Sequence, residues 1–239
     1  MHHFGQTRSV LRPDHLLQTP DTFVRTILPG MRNAAAIVHT APAAGARFTQ
    51  YTAEFESGGI LEPIAAQRFL YVLEGEADLN GASLSSGGYA WLPPGHKTPI
   101  TAKTATRAAI IEKPWRDGVE APSCFTAHER EIAPTHLADD PALEVRSLLP
   151  DDPRFDFAVN TMTYLPGATL PMVEIHVMEH GLLMLAGGGI YRLGDCWYPV
   201  TAGDFIWMAP FCPQWFGALG KTPAKYLIYK NWNRGLLDP

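Results

Sequence analysis

An ordered internal duplication constrains this chain more than any other feature. Leu70-Tyr71-Val72-Leu73-Glu74-Gly75 is echoed by Leu182-Leu183-Met184-Leu185-Ala186-Gly187. Gly87-Gly88-Tyr89-Ala90-Trp91-Leu92-Pro93-Pro94 is echoed by Gly203-Asp204-Phe205-Ile206-Trp207-Met208-Ala209-Pro210. Upstream, YTAEFESGG from Tyr51 resembles MTYLPGATL from Met162. Identity between the copies is low, but the order is kept: strand, Gly turn, strand, Gly turn, strand ending in Pro. The period, roughly a hundred residues, is several times that of a solenoid unit. Two copies of one β domain follow, not a repeat array. Short apolar runs punctuated by Gly and Pro, 21 of each, favour many short strands over long helices. That spacing suits a sandwich or small barrel in each copy. A small barrel can hold one ligand, so the inward positions are where chemistry belongs.

Between the copies runs a polar, Pro-bearing segment, EKPWRDGVEAPSCFTAHEREIAPTHLADDPALEVRSLLPDDP. The expected organisation is a first domain over residues 1–118, a linker over 119–141 and a second domain over 142–239. The whole chain has 239 residues, enough for one large or two small domains at about 100–200 residues each. Its net charge is -5 and no run of Lys or Arg stands out, which argues against a nucleic-acid or anionic-membrane surface. No stretch approaches the roughly 18–20 apolar residues of a membrane span. The cysteines, Cys124, Cys196 and Cys212, are odd in number and form no CxxC, so a reducing compartment is expected rather than a disulfide framework. The opening MHHFGQTRSVLRPDHLL shows no apolar leader core. The expectation is a cytoplasmic protein.

One stretch carries candidate ligands: VEIHVMEHG, Val173 to Gly181. On a strand, side chains alternate faces. Glu174, His176, Met178 and His180 then share one face, while Val173, Ile175 and Val177 share the other. Glu179 falls opposite the histidines, so parity makes Glu174 the glutamate of any site. A helix would also align His176 with His180, but Pro171 and Gly181 leave it little room. From spacing alone, a strand with this polar face in water and its valines and isoleucine in the core is an equal reading. Two observations favour a site. Leu182 and Met184 continue the polar face as apolar residues. The matching stretch of the first copy, LEPIAAQRF, keeps Glu62 but has Ile64 and Arg68 where the second has His176 and His180.

These residues resemble the cupins, whose motifs are G-x5-H-x-H-x3-4-E-x6-G and G-x5-P-x-G-x2-H. The chain has Gly167-x6-Glu174-x-His176-x3-His180-x6-Gly187, with Glu for the first His and His for the Glu. Its second motif is looser, Gly203-x6-Pro210-x3-Gln214. A bicupin with Glu, His, His and Gln resembles the (S)-ureidoglycine aminohydrolases of purine-ring (allantoin) catabolism. The likeness extends to ILPG at Ile27–Gly30, LPDDPRFDFAVNTMTYLPGA from Leu149 and YKNWNR from Tyr229. The resemblance implies an all-β fold of two jelly-roll β-barrel domains, the first without ligands.

It further implies a metal held by Glu174, His176, His180 and Gln214. Mixed nitrogen and oxygen donors without sulfur suit Mn²⁺, Fe²⁺, Ni²⁺ or Zn²⁺, and the family points to Mn²⁺. Four ligands on an octahedral ion leave two positions for substrate or water. Residues matching Tyr191, Tyr226 and Lys230 surround the substrate in the family, a small ureido compound, with Lys230 and Tyr226 as proton-handling groups. Parity alone puts Tyr226, Ile228 and Lys230 on one face of KYLIYKNW, with Lys225 and Tyr229 opposite. Taken singly, either tyrosine could equally be a packed core aromatic, and Lys230 a solvated strand-end lysine. His96 in PPGH reads as structural, and Cys212 has no base beside it in sequence. The implied reaction is hydrolysis of (S)-2-ureidoglycine to (S)-ureidoglycolate and ammonia by a homo-oligomer. Cupin folds host other chemistries, so a sugar isomerase, a dioxygenase or a non-catalytic ligand-binding bicupin is the alternative.

Overall fold

The computed structural model describes residues 6–116 and 118–233. Residues 1–5 of the opening stretch and Arg234, the last residue of YKNWNR, lie outside them. The described chain is built of strands and single 3-10 turns. It divides into two units. One comprises Val24–Ala133 with Asp151–Asp156; the other takes the N-terminal segment through Phe23, Pro134–Pro150 and the chain from Phe157 onward.

Seven strands of the first unit recur in the second. They are β1 (Thr49–Leu61), β2 (Gln67–Glu74), β3 (Glu76–Leu79), β4 (Ala82–Ser85), β5 (Gly88–Leu92), β6 (Ile100–Ala102) and β7 (Thr106–Lys113). Their counterparts are β8 (Ala158–Tyr164), β9 (His180–Ala186), β10 (Gly188–Leu193), β11 (Cys196–Thr201), β12 (Phe205–Met208), β13 (Gln214–Ala218) and β14 (Ala224–Lys230). The first unit runs β5-β2-β7-β1-β6-β3-β4 in one antiparallel sheet. The second repeats the order as β12-β9-β14-β8, with β13, β10 and β11 in a separate three-stranded sheet ordered β11-β10-β13.

The repeated glycines have a physical reason. Gly75 and Gly187 both have positive φ, 84° and 63°. A Cβ there would stand 2.3 Å from Ala105 O or 2.5 Å from Pro223 O, so only glycine lets the chain pass so closely. Alternating burial, as in β3 and β10, gives each sheet one face to bury. Each unit has its own apolar core, around Tyr51, Leu70 and Ile110 in the first and around Tyr164, Leu182 and Phe216 in the second.

Two findings refine the repeat. Thr49 pairs with Glu112 and Ala158 with Lys230 at matching positions, so Phe55, not Ala53, corresponds to Tyr164. The offset from the sequence alignment is one full pleat, which leaves every face unchanged. The strand His15–Gln18 pairs with β12, and Leu17 is fully buried in the second unit's core. Sequence position had placed these residues within 1–118. The pairing covers an edge of β12 that would otherwise leave backbone groups unpaired, much as Phe125–His128 covers β5.

Candidate metal and substrate site

The ligand-bearing stretch is less regular than the strand that sequence periodicity predicts. Only His180 lies in a strand, opening β9. Glu174 forms an isolated bridge with Gln214: its N–H donates to Gln214 O at 2.8 Å, and Gln214 N–H donates back to Glu174 O at 2.9 Å. Two residues on, Phe211 N–H donates to His176 O at 2.6 Å. These bonds lay the segment beside the start of β13 without a continuous ladder. Alternation nevertheless persists, and it is the valine face that meets solvent. Val173, Ile175 and Val177 are exposed, whereas Glu174, His176 and Met178 are half-buried. The reading with a wet polar face and an apolar core face is thus inverted.

Glu179 is buried on the opposite side from His180, with Trp207 Nε1 donating to its Oε2 at 3.3 Å. Cross-strand register fixes the other expected residues. His180 stands between Met208 of β12 and Lys230 of β14. Leu182 pairs with Ile228, and Met184 with Tyr226. Directly opposed residues share a face, so His180, Lys230, Ile228 and Tyr226 all point to the inner side of the sheet. Tyr229 takes the outer side, packed on Phe157 at 5.4 Å between ring centroids.

Side-chain contacts link three of the four expected residues, while Gln214 meets Glu174 through the backbone bridge and its own side chain meets Tyr191. Glu174 Oε2 lies 3.1 Å from His176 Nε2, and the His176 and His180 rings are 5.4 Å apart. Gln214 Oε1 accepts from the Tyr191 hydroxyl at 3.1 Å. His180 Nδ1 is buried without a well-aligned hydrogen-bond partner, although the backbone of Tyr229 and Glu179 lies near the ring, an unusual state for a polar atom and one that a metal bond would relieve. The donor chemistry and this orphaned nitrogen fit a divalent ion. Among the described residues, the one trio of His, Cys, Asp or Glu whose donors close to within 4.8 Å is a different one, Asp14, His15 and Cys212. Glu174 Oε2 and His176 Nε2 already lie within that distance, so joining all three on one ion requires side-chain adjustment that closes the gap to His180.

Electrostatics tie Lys230, Tyr191 and Tyr226 to the same carboxylate. Burial holds His180 down at about 3, helped by the charges of Lys230 and His176, so the imidazole is neutral and able to ligate. Burial also lowers Lys230 from its ordinary value, with the Glu174 charge pulling upward. Burial raises Tyr191 and Tyr226 well above 10, and the Glu174 charge adds to both.

Sequence reasoning missed Tyr164. It is fully buried, its hydroxyl lies 2.7 Å from that of Tyr226, and its ring meets Phe216 edge-on at 4.9 Å. Its parity with Met162 on β8 was the available signal. Cys212, set aside for want of a neighbouring base, lies beside Asp14 and His15 after all. Burial pushes its thiol up to about 11, which makes it a poor nucleophile. All three cysteines are free.

The sequence matches the cupin domain family over residues 160–229, the span that runs from β8 into β14. The (S)-ureidoglycine aminohydrolase of Arabidopsis thaliana is 40% identical over 98% of this chain and 80% of its own length. The enzyme of that name from Escherichia coli is 31% identical over 91% of this chain and 88% of its own. The crystal structure of the protein Ylba from E. coli superposes with a TM-score of 0.84 at 28% identity, covering 97% of each chain. With the Glu-His-His-Gln set on a cupin scaffold, this likeness along nearly the whole length places the chain in the (S)-ureidoglycine aminohydrolase family.

Proposed function

We propose that this protein hydrolyses (S)-2-ureidoglycine to (S)-ureidoglycolate and ammonia, using a divalent metal, Mn²⁺ first, held by Glu174, His176, His180 and Gln214. The observation that carries the reading is convergence on Glu174. Its charge reaches Tyr164, Tyr191, Tyr226 and Lys230, while strand register puts Tyr226 and Lys230 on the face of His180. The relatives named for this reaction support it. Two cupin barrels in one chain are part of the same reading, supported by the repeated strand order. The first barrel lacks ligands. At the position of His180 stands Arg68, whose Nε donates to Glu112 Oε1 at 2.8 Å, and Glu112 holds the position of Lys230.

When bound, the metal supplies Lewis-acid polarisation of substrate oxygens. The chain's own groups manage the protons. A C–N bond to the amine breaks and a C–O bond to water forms on the same carbon. The departing nitrogen takes up one proton and the incoming water gives one up, so a single donor that later accepts returns to its starting state. Lys230 suits that role, because burial moves its ammonium toward the working pH. It can also pair with the substrate carboxylate. Tyr226 has a hydroxyl held on one side by Tyr164 and aimed at the thioether of Met162 at 3.3 Å, a weak acceptor that a substrate oxygen can replace. Tyr191 steadies Gln214.

Purified protein should contain about one metal per chain at this site and release ammonia from freshly generated ureidoglycine. His176→Ala should lose that metal, and Lys230→Met should lower kcat while metal content holds. Near wild-type turnover in Lys230→Met would remove the lysine from the mechanism. Metal without ammonia release would return the chain to other cupin chemistries. The exposed Met172, Val173, Ile175 and Val177 form an apolar face that a second copy would cover, in keeping with a homo-oligomer. Sedimentation reads that directly. No described helix is long and apolar enough to cross a membrane, and the free cysteines support a reducing, cytoplasmic setting.

A further inference from the structure

We propose that Asp14, His15 and Cys212 form a second divalent-cation site of the Zn²⁺ class, separate from the Glu174 cluster. One donor atom from each lies within 4.8 Å of the other two. They come from segments far apart in sequence. Asp14 precedes and His15 opens the strand His15–Gln18, and Cys212 lies on the loop between β12 and β13. The main chain joins them: Ala209 N–H donates to Asp14 O at 2.9 Å, and His15 pairs with Met208. His15 and Cys212 are buried, while the Asp14 side chain is 45% exposed and leaves an approach from solvent.

The spacing is close to that of a tetrahedral site. With Zn–S of about 2.3 Å and Zn–N or Zn–O of about 2.0 Å, neighbouring donors stand roughly 3.3–3.6 Å apart. Asp14 Oδ1 is 2.9 Å from His15 Nδ1, and Asp14 Oδ2 is 3.9 Å from Cys212 Sγ. These contacts use different carboxylate oxygens, so Asp14 must rotate to offer one oxygen to the ion, and donors already within 4.8 Å of one another must draw in to the tetrahedral values. The Cys212 thiol has long contacts, 3.9 Å to Asp14 Oδ2 and 3.6 Å to Pro213 O, which ligation displaces, and a bond from the Gly194 N–H, which a thiolate can keep. His15 Nε2 is held by the Tyr198 hydroxyl at 2.9 Å. That leaves Nδ1 for the ion and anchors the ring through its other nitrogen, as metal-bound imidazoles usually are.

On binding, the thiol proton leaves to solvent and a metal–sulfur bond forms. The Nδ1 proton that bonds His15 to Asp14 shifts to Nε2, which then donates to the Tyr198 hydroxyl. The Asp14–His15 hydrogen bond is thereby exchanged for two bonds to the ion, and water takes the fourth position on the exposed Asp14 side. Thiolate and carboxylate together neutralise the dication. A sulfur donor selects Zn²⁺ over Mn²⁺, whereas the Glu174 set has none, so the two sites differ in preference. An ion here ties the N-terminal strand to the loop that ends at Gln214.

The test is Co²⁺ titration of the metal-stripped full chain, because a thiolate–Co²⁺ charge-transfer band reports only a sulfur-ligated site. The band should appear in wild type, persist in His176→Ala and Cys196→Ser, and vanish in Cys212→Ser. Zn²⁺ should displace it. Asp14→Asn, at a part-exposed position that should not disturb folding, should weaken Co²⁺ binding at this site at least tenfold. No band in wild type, or an unchanged band in Cys212→Ser or Asp14→Asn, overturns the site. Persistence in His176→Ala keeps this result independent of the Glu174 metal.

Discussion

Removing the Tyr226 hydroxyl should destabilise the second unit, and removing its partner as well should restore most of the loss. The Tyr164 and Tyr226 hydroxyls are 2.7 Å apart in a core where the residues are 0% and 2% exposed. Among the described residues, Tyr226 is the hydrogen-bond partner of the Tyr164 hydroxyl. Tyr226→Phe keeps the ring contacts, 5.6 Å to Tyr164 and 5.8 Å to Phe216 between centroids, so no large cavity opens. What changes is polar. The bond to Tyr164 and the weak one to the Met162 thioether are lost, and the Tyr164 hydroxyl is left buried without a partner, a penalty of about 1–3 kcal/mol. Tyr164→Phe should cost less, because Tyr226 keeps its contact with Met162. In the double variant neither hydroxyl is stranded, so its loss should fall below the sum of the singles by about 1 kcal/mol or more. Urea denaturation of the four proteins, with m unchanged, gives the cycle. Additive losses would refute the reasoning, since they would mean that water or another group already satisfies each hydroxyl alone.

Three further outcomes follow from the same structure. Arg68→Met should cost roughly 3 kcal/mol in thermal denaturation, because it leaves Glu112 nearly buried with only the Tyr51 hydroxyl at 2.8 Å; adding Glu112→Leu should recover most of it. His39, buried beside Thr52 and near Arg107, is held at about 3 against an ordinary 6.5. The unfolded chain therefore binds the extra proton first, so the contribution of His39 to stability is flat above pH 6.5 and falls on acidification toward pH 3, by up to roughly 1.4 kcal/mol per pH unit. Acid titration of stability in His39→Gln should lose that share of the slope, leaving the share set by His180. Tyr191→Phe removes the donor that holds Gln214 Oε1, and Mn²⁺ affinity should drop about tenfold or more while ammonia release survives at saturating metal.

Strand parity gave the faces of much of the candidate site in advance. It separated Glu174 from Glu179 and placed Tyr226 and Lys230 opposite Tyr229, and the structure keeps all of those faces. Parity survived even where the strand did not, because extended backbone alternates its side chains whether or not a ladder forms. Which face is wet was not legible. Val173, Ile175 and Val177 look like core from composition, yet they are exposed, since burial depends on what packs against a face.

The sequence by itself determined the two copies, their shared strand order, the ligand candidates and the side of the strand each one occupies. All of these rest on short-range regularities: a period of two, and glycines where the chain must pass close to its own backbone. Only the tertiary structure decided which distant segments meet. It set His15–Gln18 on the edge of β12, paired the hydroxyl of Tyr164 with that of Tyr226, and drew Asp14 and His15 to Cys212. Such meetings are chosen by the burial of whole sheets and the pairing of their edges, and no local pattern records them.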